Sequence, residues 1–285
     1  MYCNYKLKTY FYKEKNMDTI GFVGSGNMAE ALIKGILTAN VYAPENVFIS
    51  DIRAERLKFL AEKYDVISIK SNAELAAKVK TIVLSIKPQN MTDALESIKD
   101  ALGAGTLVIS IAAGIKVANI AGVLGDVAIV RVMPNTPALI GEGASALFAN
   151  KRAKPMLKEA RSIFSSVGRA VVVDDEDLID AVTAVSGSGP AYYFLLMEEM
   201  IKAAVGLGLP EDVAKELVLQ TAKGAGLLAA GADKDGESPA VLRQKVTSPG
   251  GTTQAALKVF AANNFSRLIA DALTAACDRS KELSG

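Results

Sequence analysis

Histidine and tryptophan are missing from all 285 residues, and cysteine occurs only at Cys3 and Cys277. Without histidine there is no Ser-His-Asp triad and no histidine-held zinc. Proton chemistry falls to Lys, carboxylates, hydroxyls, water or the substrate itself, and no metal site is expected. Two cysteines exclude a secreted disulfide framework and fit a reducing cytoplasm. Net charge is nearly absent too: 32 Lys and Arg against 31 Asp and Glu leave +1. That balance favours neither nucleic acid nor an anionic membrane surface. Apolar runs such as Leu107–Ile115 stop far short of a membrane span.

What remains is 50% hydrophobic, enough for one or two packed domains. Residues 1–16 are rich in Tyr and Lys and lack the apolar stretch of a signal peptide. They read as a poorly ordered extension ahead of the globular pattern.

From Thr19 to Val173, β-rich runs alternate with helical ones. Thr19–Val23, Val47–Ser50, Thr81–Ile86, Thr106–Ile111 and Val127–Val132 read as strands. Several are near-continuous apolar runs, as in a parallel sheet covered on both faces. Asn27–Ala39 and Arg53–Tyr64 read as helices between them. The alternation predicts an α/β class, with a Rossmann-like dinucleotide-binding domain over 17–174. Beyond Asp174–Asp177 no strand is legible. Residues 178–206 (interrupted at Ser186–Pro190), 210–231, 251–262 and 265–282 read as helices of an all-α domain over 175–285. Its small residues, as in Thr221–Ala232, and its apolar stretches suit a homodimer core; a self-contained helical bundle is the alternative.

The first strand runs into Gly24-Ser25-Gly26-Asn27-Met28-Ala29, a G-x-G-x-x-A turn that opens a helix. Gly24 permits the turn, Gly26 lets backbone approach a pyrophosphate, and Ala29 allows close helix–strand packing. At the end of the second strand, Asp51 is placed to hold the ribose 2′-hydroxyl of NADH and to repel a 2′-phosphate. Arg53 would instead attract that phosphate. The balance leans to NADH and leaves NADPH open; Asp51 as a helix cap is the plain alternative. Three further loops follow later strands at the edge where open sheets bind ligands: Lys87-Pro88-Gln89, Ala112-Ala113-Gly114 and Met133-Pro134-Asn135-Thr136-Pro137. Small residues at 112–114 would let a flat nicotinamide lie against backbone. In the second domain, Thr247–Thr253 (TSPGGTT) precedes a helix. Its N–H groups and hydroxyls form either a carboxylate cradle or an ordinary cap.

The segment Pro239–Phe260, PAVLRQKVTSPGGTTQAALKVF, resembles the signature of the pyrroline-5-carboxylate reductases. MPNTP (133–137), SIAAG (110–114), IKP (86–88) and SGSGPAY (186–192) also resemble that family, in the same order, and the resemblance covers essentially all of 18–283. It implies hydride transfer from NADPH or NADH to C5 of a small cyclic imine, giving proline. It also implies a homodimer, often assembled into larger rings, with the active site between the α/β domain and the helical core. By motif match, Val23, Gly24, Ser25, Gly26, Asn27, Met28, Asp51, Asn72, Ser85, Ile86, Lys87, Pro88, Ala112, Ala113 and Gly114 contact the cofactor; Arg53 and Asn135 are counted with them. Ser248, Gly250, Gly251, Thr252 and Thr253 hold the substrate carboxylate, and the Thr253 hydroxyl, the catalytic group, reaches the imine nitrogen. Glu176 matches an acidic position near the substrate. Relatives often carry Ser or Asn where Asp51 stands and His where Ser238 stands, so coenzyme preference does not carry over.

The missing histidine is compatible with this chemistry. A protonated imine is already electrophilic and needs positioning rather than a strong protein acid. A β-hydroxyacid dehydrogenase would share the two-domain plan, but such enzymes resemble one another in a Lys on the helix after a Gly-rich motif. Here that helix, AYYFLLMEEM, has none before Lys202. A non-catalytic dinucleotide sensor would keep Gly24 and Gly26 and have no use for Ser248–Thr253.

Overall fold

The structure, a computed structural model, describes residues 19–284; the extension read over 1–16 lies outside them. The chain separates into two compact units, one ending at Ile179 and one running from Asp180 to Leu283.

In the first unit, strands β1 (Ile20–Val23), β2 (Val47–Ser50), β3 (Ile67–Ser68), β4 (Thr81–Leu84), β5 (Leu107–Ser110), β6 (Ala128–Met133), β7 (Gly143–Ala149) and β8 (Gly168–Val172) form one sheet. Its order is β3-β2-β1-β4-β5-β6-β7-β8. All neighbours pair parallel except β6 with β7. Helices α1 (Asn27–Thr38), α2 (Ala54–Tyr64), α3 (Asn72–Lys78), α4 (Met91–Ile98), α5 (Val117–Leu124) and α6 (Leu157–Ser165) connect the strands. Alternate residues of the central strands feed two cores. Ile20, Phe22, Val83 and Ile109 pack with Leu32, Ile33 and Ile36 of α1. Val23, Ile82, Leu84 and Val108 pack with Leu75 of α3 and Leu95 of α4. Burying each large apolar side chain stabilises by about 1.5–3 kcal/mol, which is why these strands read as unbroken apolar runs.

The strands differ from the sequence expectation in three ways. The third and fourth runs leave the sheet at Leu84 and Ser110, short of Ile86 and Ile111. The residues beyond turn into loops. Strand β7, sequence GASALFA, was not legible because small residues carry little strand propensity; pairing with β6 and β8 makes it a strand. Strands β3 and β8 were also missed, the first for its two-residue length.

The second unit is helical: α7 (Leu178–Val182, which begins in the first unit), α8 (Gly189–Gly206), α9 (Glu211–Ala232), α10 (Pro239–Lys245), α11 (Thr252–Ala262) and α12 (Phe265–Ser284). The interruption expected at Ser186–Pro190 is a π-helical turn over Thr183–Gly187, after which Pro190 sits in the first turn of α8. The Tyr192 hydroxyl steadies that turn by donating to Ala184 O at 3.1 Å. Helix α10 was not read from sequence; Ser238 starts it by accepting from Val241 N–H. Few apolar side chains are buried here, among them Ala184, Ala214 and Val218, while Phe194, Leu195, Leu227, Leu228 and Leu268 are exposed. No described helix is long and apolar enough to cross a membrane.

Candidate active site

The register of the sheet places the candidate residues. Val23 lies beside Ser50 and Leu84, Leu84 beside Ser110, and Ser110 beside Arg131. Four strands therefore end in one row, and the loops carrying Gly24–Met28, Asp51–Arg53, Ser85–Pro88 and Ala112–Gly114 leave it at one level. From β1 the chain winds outward through β2 and β3, then returns to the other side of β1 as β4. Such a reversal opens a crevice at the carboxyl edge of an open sheet.

The turn after β1 fits a dinucleotide pyrophosphate. Gly24 has φ +87°, and a Cβ there would lie 2.5 Å from Ser85 O. A Cβ on Gly26 would meet nothing within 4 Å, so that side of the turn is open. No side chain caps α1 at Gly26, and the N–H groups of Gly26, Asn27 and Met28 have no acceptor among the described residues. Free N–H groups at the positive end of a helix dipole suit an anion.

Asp51 accepts from Ser25 N–H at 2.7 Å and from Arg53 N–H at 2.9 Å. Arg53 adds Nε and Nη2, each at 3.0 Å. Burial pushes the Asp51 carboxyl up, but these hydrogen bonds outweigh it and hold the pKa at about 2. The two residues that pointed to opposite coenzymes are thus bonded to each other.

Other expected contacts are partly committed to the fold. Asn72 Oδ1 accepts the Ser50 hydroxyl at 2.8 Å, and its amide donates to Ser97 at 3.0 Å. Asn135 Oδ1 accepts Ala144 N–H at 2.8 Å. Lys87 and Pro88 are exposed, Ser85 and Ile86 half-buried, and Gly114 has φ +73°. Ala112 is buried, whereas Ala113 is exposed. Glu176 Oε1 accepts Val117 N–H at 2.8 Å, capping α5, and Arg131 Nη1 at 3.0 Å. Arg131 is nearly inaccessible. A charge inside AIVRVM was the signal in the sequence that a carboxylate had to meet it.

Arg56 was not singled out from sequence. Its Nε donates to Ser25 O at 2.7 Å and its Nη2 to Gly26 O at 3.4 Å, on the turn itself.

In the helical unit, the Ser248–Thr253 loop ends on Gly251, which caps α11 without a side chain. Gly250, at φ +74°, donates to Gln254 Oε1, and Gly251 N–H to Ser248 O. Among the described residues, the Thr252 and Thr253 N–H groups and the hydroxyls of Ser248, Thr252 and Thr253 have no hydrogen-bond partner. The arrangement can receive a carboxylate. Lys202, the one lysine of α8, is held by Glu198 and Glu199.

A largely parallel sheet with a glycine-rich turn at its switch point, joined to an all-helical unit, is the plan of two-unit nicotinamide-dependent oxidoreductases. Comparison with known proteins narrows this. Residues 176–283 match the model described as pyrroline-5-carboxylate reductase dimerisation, and residues 19–114 match that of NADP oxidoreductase, coenzyme F420-dependent. A pyrroline-5-carboxylate reductase of Pseudomonas aeruginosa is 46% identical over 267 residues, 93% of this chain and 96% of that one. The solved structure of a pyrroline-5-carboxylate reductase from Coxiella burnetii superposes with TM-score 0.90 at 41% identity, covering 95% of this chain and all of that one. That of Plasmodium falciparum pyrroline carboxylate reductase, with NADP bound, gives 0.81 at 34% identity over 94% and 98%. The chain belongs to the pyrroline-5-carboxylate reductases, oxidoreductases that catalyse the last step of proline biosynthesis with NAD(P)H.

Proposed function

We propose that this chain reduces 1-pyrroline-5-carboxylate to L-proline, with one glycine-capped helix N-terminus for each anion involved. The observation that carries the reading is that two helices start on a glycine, Gly26 before α1 and Gly251 before α11, and that their leading N–H groups have no acceptor among the described residues. The first receives the coenzyme pyrophosphate, and the second receives the substrate carboxylate, with Ser248, Gly250 and Thr252 around it. Bound NADH or NADPH supplies the hydride for C5. Ala112, Ala113 and Gly114 offer the ring a flat backbone, with Ser85 to Pro88 and Asn135 alongside. Asn72, Asp51 and Arg53 serve the rest of the coenzyme.

The Thr253 hydroxyl orients the imine nitrogen, which arrives protonated. Hydride addition to C5 moves the C=N π pair onto that nitrogen, and the product is the secondary amine. No protein group has to give up a proton, which suits a chain without histidine. Glu176 has one carboxylate oxygen committed to Arg131 and Val117; its other oxygen serves the substrate. The exposed apolar faces of α8 and α9 close against a second copy, and dimers assemble into a ring. The setting is the cytoplasm.

The test mixes purified protein with pyrroline-5-carboxylate and follows loss of reduced-nicotinamide absorbance, with NADH and NADPH in parallel. Substrate-dependent oxidation is expected. No oxidation with either coenzyme, from protein that is folded, overturns the reading.

A further inference from the structure

We infer that Arg56 is a positioning residue for coenzyme binding, its forked guanidinium fixing the direction of the N–H groups that meet the pyrophosphate. The inference rests on the coenzyme role proposed for the Gly24–Met28 turn. A glycine-rich turn is conformationally loose, and Gly26 has open space on its side-chain face. Something must hold its peptides in one orientation. The carbonyls of Ser25 and Gly26 both point at Arg56, one to Nε at 2.7 Å and one to Nη2 at 3.4 Å. The peptides are trans, so each N–H points opposite the carbonyl before it. Pinning Ser25 O therefore aims Gly26 N–H; Gly26 O, which also accepts Glu30 N–H at 3.0 Å in the first turn of α1, aims Asn27 N–H. Neither N–H has an acceptor among the described residues.

Arg56 is itself held. Its Nη2 lies 2.5 Å from Glu30 Oε2, and its guanidinium stacks 5.3 Å from the Phe59 ring centre. Lys63 and the Tyr64 hydroxyl donate to the other oxygen of Glu30. Burial pushes the Glu30 carboxyl up, but Lys63, Arg56 and Tyr64 together bring it below the usual carboxylate range, so it stays charged. Helix α2 thus carries an anchored cation to the back of the phosphate turn, leaving the front for the ligand. A guanidinium suits this task because two of its donors diverge in one plane; a lysine offers a single point.

The experiment titrates NADH and NADPH onto the intact protein by fluorescence or calorimetry for wild type, Arg56→Ala and Arg56→Lys, with melting temperatures and steady-state kinetics alongside. In Arg56→Ala, Kd and KM for both coenzymes should rise at least about tenfold, the size of one hydrogen bond to a charged group. The kcat at saturating coenzyme and KM for pyrroline-5-carboxylate should hold. Arg56→Lys should recover only part of the affinity. Unchanged Kd in folded Arg56→Ala, even with a lower melting temperature, assigns Arg56 to stability alone and overturns the inference. Wild-type affinity in Arg56→Lys also overturns it, since charge without the fork would then suffice. Should Arg56→Ala not fold, Arg56→Lys decides by the same criterion. A wild type that bound neither coenzyme would overturn the coenzyme role and this inference together.

Discussion

Arg53 closes both arms of its guanidinium on Asp51, with Nε 3.0 Å from Oδ1 and Nη2 3.0 Å from Oδ2. The N–H groups of Ser25 and Arg53 take the remaining lone pairs, so the carboxylate is saturated. To accept a ribose hydroxyl, Asp51 must release one of these donors. To meet a 2′-phosphate, Arg53 must release Asp51.

Coenzyme choice therefore follows from this pair. Asp51→Asn keeps an oxygen for Ser25 and removes the negative charge. It should gain affinity for NADPH relative to NADH by about tenfold, part of the ~4 kcal/mol that unit charges 4 Å apart exchange near a protein surface. Arg53→Ala leaves the Asp51 charge unneutralised and should move the ratio the opposite way. Parallel titrations read both; a ratio unmoved in either variant would show that neither residue selects the coenzyme.

The same carboxylate has a signature in acid. Its pKa falls from 3.8 to about 2 on folding, so the unfolded chain binds its proton first. The stabilisation is complete above the unfolded value and is lost as pH falls through about 4 toward 2. With Arg53 half-exposed, it amounts to ~1 kcal/mol after screening. Urea midpoints from about pH 5 to about pH 2.5 should fall less steeply for Asp51→Asn than for wild type. Parallel curves would mean that the pair contributes nothing to the fold.

Glu176 and Arg131 make the opposite kind of pair, shut inside the unit with side-chain exposures of 18% and 2%. Glu176→Ala strands the guanidinium and uncaps α5, and should cost about 3 kcal/mol, the scale for a buried pair losing one partner. Glu176→Gln retains an oxygen for Val117 and Arg131 and should cost less. Denaturant melts distinguish the two. A Glu176→Ala as stable as wild type would remove the pair from the support of the fold, and an unchanged KM for substrate would remove the second oxygen from the site.

What the sequence made legible depended on distance along the chain. The phosphate turn could be read because strand, glycines and helix start are contiguous, and β1, β4 and β5 because burial on both faces leaves no polar break. Partnerships across the fold could not. Arg56 meets Ser25 and Gly26 only once α2 lies beside the turn, and Arg131 finds Glu176 far downstream. Asp51 and Arg53 were visible as neighbours, yet sequence set them up as rivals for the coenzyme where the structure makes them partners. Strand β7 shows the same limit in the backbone: its small residues become a strand only through β6 and β8.

The helical unit should depend on a second copy. Phe194 on α8 is 61% exposed and Leu228 on α9 is 59% exposed, which one chain alone would not tolerate as part of so large an apolar surface. A charge placed in a buried apolar interface is strongly unfavourable. Phe194→Glu or Leu228→Glu should therefore shift the protein to smaller species in sedimentation. An unchanged assembly in both variants would put the contact on another face.

Thr253 offers the sharpest test of how the imine is handled. Its hydroxyl has no hydrogen-bond partner among the described residues and stands in the first turn of α11. With no base or cation bonded to it, nothing makes it an effective acid; it can donate one hydrogen bond and no more. Thr253→Ala should lower kcat by about ten- to a hundredfold, the weight of one lost site hydrogen bond. Because the hydroxyl orients the imine and does not protonate it, the shape of the pH–rate profile should be unchanged in the variant. Coenzyme Kd should also hold, and Thr253→Ser should recover most of the rate. A wild-type kcat in Thr253→Ala would remove the hydroxyl from the reaction. A lost limb of the pH profile would make it the proton donor after all, a threonine acting as the acid in a chain that has no histidine.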